Sequence, residues 1–176
     1  MITEQVAFMN NIFTNCTSLR SVDLSGFVTS LALNFNEMFL NCISLTNVNL
    51  ANWDTGEVLY MSSMFEGCEK LTSLDINHFK TNKVTLMGKM FKKCKSLESL
   101  DITNFNTQNV NDMTEMFNTV SDLKVLNLSS FVTTNINKYS DIFGGNEELE
   151  VIINTKNNPK IILDPPEGVT ITDINK

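Results

Sequence analysis

The 176-residue chain is short of the groups that most chemistry needs: one histidine, seven scattered glycines, and four cysteines with no Cys-x-x-Cys pair among them. A single histidine supports a Ser-His-Asp or Cys-His site only if it leaves whatever structural post it holds. Scattered glycines make no phosphate-cradling loop, and cysteines without paired spacing make no zinc site. No nucleophile–base pair is legible either. The expectation is therefore a protein without catalysis and without a cofactor.

Positive charge is also scarce, with 13 Lys and Arg against 20 Asp and Glu and a net charge of −7. Nucleic acids and anionic membranes require clustered cations. The one basic cluster, Lys89, Lys92, Lys93 and Lys95, is short and flanked by acids, which reads as a solvated face. No stretch reaches the roughly 18 apolar residues of a membrane span, so no membrane insertion by this segment is expected. Met1 to Asn10 lacks the cationic and apolar regions of a signal peptide. Linkers of low complexity and long charge runs are missing too, which leaves no internal domain boundary.

What is present is a period of 26 residues. Phe13, Phe39, Phe65, Phe91, Phe117 and Phe143 keep it, as do Leu19, Leu45, Leu71, Leu97, Leu123 and Leu149. So do Val22, Val48, Leu74, Leu100, Leu126 and Ile152, and the threonines at 3, 29, 55, 81, 107 and 133. A further aromatic column runs Phe27, Trp53, Phe79, Phe105, Phe131. Repetition on this length scale signals stacked units that bury their core against one another.

Within a unit, alternation at Leu100 and Ile102 predicts a strand with one buried face. Met61, Met64, Phe65 and Cys68 fall at i, i+3, i+4 and i+7, the spacing of one face of a short helix. The preceding column, Asn10, Asn36, Ser62, Gly88, Thr114 and Ser140, holds residues favoured at helix N-caps. Glu37, Glu115 and Asp141 follow it, where a helix dipole favours negative charge. The phenylalanines, methionines and leucines read as core.

Cys16, Cys42, Cys68 and Cys94 occupy one column, with Val120 next in line. A position that accepts valine wants a small apolar filler, which favours free buried thiols over a disulfide or a metal site. His78 shares a column with Gly26, Asn52, Asn104 and Ser130, types enriched at positive φ, and reads as a turn residue.

One surface is a candidate for recognition. Asp23, Asn49, Asp75, Asp101 and Asn127 alternate with buried positions and should face outward. Ser21, Asn47, Ser73 and Ser99, with Val125, lie beside them, and Arg20, Thr46, Thr72, Glu98 and Lys124 form the next row. The plainer reading is a solvated strand face whose Asp and Asn bond turn amides. The functional reading is a rigid surface that presents ordered polar side chains at little entropic cost. Asn interruptions and the lack of a Gly-rich Asp motif argue against calcium.

The first unit is partial, covering 1–16, because Met1 to Thr3 aligns with Trp53 to Thr55. The expectation is a start trimmed from a longer protein, with self-association through an uncapped edge as the other outcome. Repeats are expected to 153. Residues 154–176 are expected to form a β-hairpin-like cap, from strands at Ile161–Leu163 and Val169–Ile171 joined by Asp-Pro-Pro-Glu-Gly.

The run Asn52, Trp53, Asp54, Thr55, Val58, Met61, Met64, Phe65, Gly67, Cys68, Leu71, Leu74 and Asp75 resembles the BspA-like leucine-rich repeats. It is most similar to a 26-residue mycoplasma-type subtype of unknown function, over about residues 3 to 153. Most units carry Phe for the Trp, and the last two lack the Cys. The resemblance implies a leucine-rich-repeat-like, right-handed α/β solenoid of short parallel strand, turn and short helix. It also implies display on a cell surface, in lipoproteins or adhesins, and contact with a protein or other macromolecule of a host or neighbouring cell. A structural spacer or variable coat segment without a dedicated ligand is the alternative.

Overall fold

The computed structural model describes residues 3–158 and 165–176. Seven short strands follow one another: β1 (Ser21–Asp23), β2 (Asn47–Asn49), β3 (Ser73–Leu74), β4 (Ser99–Leu100), β5 (Val125–Asn127), β6 (Leu149–Ile153) and β7 (Val169–Asp173). The α/β architecture with a short helix in each coil is overturned, because no helix occurs among the described residues.

The reason lies in two columns of left-handed residues. Asn11, Glu37, Ser63, Lys89, Glu115 and Asp141 have positive φ, and so do Asn15, Asn41, Gly67, Lys93, Thr119 and Gly145 four residues later. A right-handed helix cannot absorb such a residue every turn. Instead the amides of Met61, Ser63, Phe65 and Gly67 donate to the carbonyls of Leu86, Gly88, Met90 and Lys92 at 2.8–3.0 Å, in the next coil. The intervening amides close tight turns, as Glu66 N does on Ser63 O at 3.2 Å and Cys68 N on Phe65 O at 3.1 Å. Met61, Met64, Phe65 and Cys68 are still fully buried. The column Asn10 to Ser140 therefore caps nothing, and Glu37, Glu115 and Asp141 answer no dipole.

Coils stack in parallel. Ser21 pairs with Asn47, Val22 with Val48, Ser73 with Ser99 and Leu74 with Leu100. The strand ladder nevertheless splits, into β1-β2, β3-β4 and β5-β6-β7. The uninterrupted ladder is a second one, made of single parallel bridges that link Phe8, Asn34, Tyr60, Leu86, Asp112 and Lys138 in turn.

Two sequence expectations fail at the C-terminal end. Leu126 pairs with Val151 rather than Ile152, and Val151 and Ile153 are buried. Asn146 still contacts Val120 across 26 residues, so one residue is lost between Asn146 and β6. Among the described residues the second strand of the expected hairpin-like cap pairs in parallel, not as in a hairpin. β7 lies parallel to β6, with Leu149 opposite Val169 and Ile153 opposite Asp173, a shortened further rung. The expected strand Ile161–Leu163 lies outside the described residues.

The core is built of like on like. Phe39, Phe65, Phe91 and Phe117 stack nearly flat at centroid spacings of 5.5, 6.1 and 5.7 Å. Trp53 lies between Phe27 and Phe79 at 6.4 and 6.3 Å, and its indole N–H donates to Leu24 O at 2.9 Å. The threonine column is buried and polar. Thr55, Thr81 and Thr107 hydroxyls each donate to a carbonyl 25 residues on, those of Lys80, Asn106 and Val132. Each accepts the amide of that same residue at 2.7 Å.

Candidate strand-face site

The structure places the residues of the expected face at or near the surface. Arg20, Ser21, Asp23, Thr46, Asn47, Asn49, Thr72, Ser73, Asp75, Glu98, Ser99, Asp101 and Lys124 are exposed, and Asn127 is half-buried. Their backbone register explains this: Ser21 lies opposite Asn47, Asp23 opposite Asn49, and Ser73 opposite Ser99. Strand alternation then sends Ser21 and Asp23, and their equivalents in the other coils, to one side, while Arg20, Thr46, Thr72, Glu98 and Lys124 are exposed just before the strands begin.

Part of this set already has a structural task. The side chains of Asp23, Asn49, Asp101 and Asn127 accept the amides of Ser25, Ala51, Thr103 and Ser129 at 2.9–3.1 Å. Asp101 also accepts the Thr103 hydroxyl at 2.7 Å, and these two bonds, the hydroxyl first, hold its carboxyl below the usual carboxylate range. These Asx turns fix the chain reversal after each strand. Asp75 and Glu98 are different, for neither carboxylate has a hydrogen bond or ion pair among the described residues.

The coils are not equivalent on this face. A depression of about 670 Å³ opens over β3, β4 and the start of β5, lined by Ser73, Leu74, Asp75, Asn77, Glu98, Ser99, Leu100, Asp101, Lys124 and Val125. It lies where β4 and β5 fail to pair. Val125 is 50% exposed, in a column that is Ser or Asn in the four preceding coils. Leu100 is half-buried. The alternation finds the outward strand members of this depression, but nothing in the sequence marks Asn77, or the failure of β4 and β5 to pair.

His78 takes no part. Its ring stands edge-on to Phe79 at 5.1 Å, and its Nε2 is 3.3 Å from Leu50 O. The turn assignment of its column holds, with positive φ at Asn52 alone. No cluster of three or more metal-ligating side chains occurs among the described residues, and no helix there is long and apolar enough to cross a membrane.

The cysteines are free, and Cys42, Cys68 and Cys94 are buried. They are more than fillers. Their thiols donate to Phe13, Phe39 and Phe65 carbonyls at 3.1, 3.3 and 3.1 Å. Asn146 ends the column and makes the same bond to Phe117 O at 2.9 Å. Burial, with Cys16 beside it, pushes the Cys42 thiol from 9.0 up to about 11. Burial likewise pushes Cys94 up to about 12 and raises Cys68. Folded thiols thus hold protons that unfolded ones release. The stability they contribute is complete below the unfolded value of 9.0 and is lost as pH rises through about 11 to 12. At pH 8 a thiol reagent should label half-buried Cys16 and leave the other three untouched until urea unfolds the chain. Equal labelling of all four in the native protein would refute the burial argument.

A family model described as "Mycoplasma protein of unknown function, DUF285" matches residues 2–92 and again residues 44–157. Neither the curated proteins nor the solved structures give a match. The two overlapping matches together span most of the 176 residues, and the chain belongs to this Mycoplasma-type family.

Proposed function

We propose that the chain is a non-catalytic repeat scaffold, displayed on a cell surface, that binds a host or cell-surface protein through its strand face. The observation that carries this reading is the asymmetric depression on an otherwise repetitive polar surface. Purely structural repeats have no reason to break their own pattern there. The resemblance to BspA-like leucine-rich repeats, found in surface lipoproteins and adhesins, supports the location.

The test is a panel of immobilised matrix and host-surface proteins probed at micromolar concentration. At least one saturable interaction is expected. A silent panel removes the adhesin reading. The spacer reading is favoured by the near-identity of the coils. It expects that deleting one unit, residues 55–80, leaves function intact.

A further inference from the structure

We propose that the depression over β3, β4 and β5 seats a basic side chain, an arginine carried on an extended segment of the partner. This rests on the binding reading above and narrows it to one part of the face and one ligand chemistry.

The lining divides into an apolar floor and a rim of acceptors. Leu74, Leu100 and Val125 supply the floor. Asp75, Glu98 and Asp101 supply three carboxylates around it. The one cation of the lining, Lys124, is drawn aside to Glu148 at 3.0 Å. Among the described residues Asp75 and Glu98 have no donor at all. The Asn77 side-chain oxygen is buried beneath the surface and offers a ligand nothing, while its amide nitrogen donates to Asp101 at 2.9 Å. Acceptors in excess of donors call for a ligand rich in N–H.

An arginine fits both halves. Its methylene stem covers aliphatic surface while its guanidinium reaches carboxylates. Charge-assisted bonds to carboxylates are the stronger class, and the planar fork favours arginine over the compact, strongly hydrated lysine ammonium. An acidic side chain would face three carboxylates and be repelled. The rest of the strand face does not repeat this arrangement. The corresponding positions of the first two coils are Arg20 and Thr46 in the row of Glu98, and Ser21 and Asn47 in the column of Val125.

The probes are the peptides acetyl-Val-Arg-Val-Arg-Val-amide, its lysine counterpart and its glutamate counterpart. They are titrated into the whole chain at about 50 mM salt and followed by amide chemical shifts. Expected shifts from the arginine peptide are confined to residues 73–77, 98–101 and 124–125. Affinity should be several-fold weaker for lysine, and binding absent for glutamate. The double variant Asp75→Asn, Glu98→Gln should weaken the arginine peptide about tenfold or more. Its control, Asp54→Asn with Glu57→Gln, removes the same charge from solvent-exposed ion pairs with Lys80 and Lys83 and should change affinity less than twofold. Equal weakening in both variants, or shifts scattered over every acidic coil, would show general charge attraction and overturn the proposal. A panel partner whose binding ignores Asp75→Asn, Glu98→Gln would leave the broader function standing and remove this site from it.

Discussion

Phe91→Ala lowers the free energy of unfolding by about 3–5 kcal/mol, the range for deleting a fully buried phenylalanine. The ring has no exposed surface and touches Phe65 at 6.1 Å on one side and Phe117 at 5.7 Å on the other. Alanine leaves a gap in the middle of a stack, and both neighbouring rings lose a face. The coil cannot collapse to fill it, because its backbone spacing is fixed by bonds such as Phe91 N to Met116 O at 3.1 Å. Stacked repeats are stabilised by neighbour contacts, so weakening one interface should also uncouple the two halves. Urea unfolding followed by Trp53 fluorescence should then part from the far-ultraviolet dichroism of the whole chain. Phe13→Ala is the comparison, since that ring is half-buried and stacks on Phe39 alone at 5.3 Å. A loss for Phe91→Ala no larger than for Phe13→Ala would mean that the stack is not what holds the coils.

The period, the buried columns and the outward face were legible because they depend only on which residues recur at 26. Conformation was not, for a specific reason. Apolar residues at i, i+3, i+4 and i+7 line one side of a helix, but they equally line a run of turns with a left-handed residue every fourth position. The distinguishing signal was present in half of those positions: Asn11, Asn15, Asn41, Gly67, Asp141 and Gly145 are types that tolerate positive φ. Glu37, Ser63, Lys89, Lys93, Glu115 and Thr119 adopt it too and carry no such mark, so stacking imposes on them what their neighbours prefer. The misplaced Ile152 has a similar origin, since one lost residue in a strand exchanges buried for outward positions. As for the site, its polar rim followed from alternation. Its floor lies beside two strands that fail to pair, which no local sequence pattern encodes.

Thr81→Val should cost about 2–4 kcal/mol, a large effect for a change that keeps the shape of the side chain. The Thr81 hydroxyl accepts Asn106 N at 2.7 Å and donates to Asn106 O at 3.0 Å, so one oxygen satisfies both backbone groups of a residue in the next coil. Valine fills the space and satisfies neither. Each abandoned group costs about 1–3 kcal/mol where water cannot reach it, and somewhat less here because the Asn106 backbone is partly buried. Thr81→Ser keeps the oxygen and loses one methyl, about 1 kcal/mol. Thr133 supplies the decisive contrast. It is fully buried in the same column, but its hydroxyl has no partner among the described residues. Thr133→Val should therefore be neutral or stabilising, since it removes a polar atom that none of the described residues satisfies. Chemical denaturation of the three variants separates the two causes a buried threonine column could have. If Thr81→Val and Thr133→Val shift the midpoint alike, the column serves as packing. If only Thr81→Val does, these hydroxyls tie each coil to the next, and the recurrence of threonine every 26 residues has its cause.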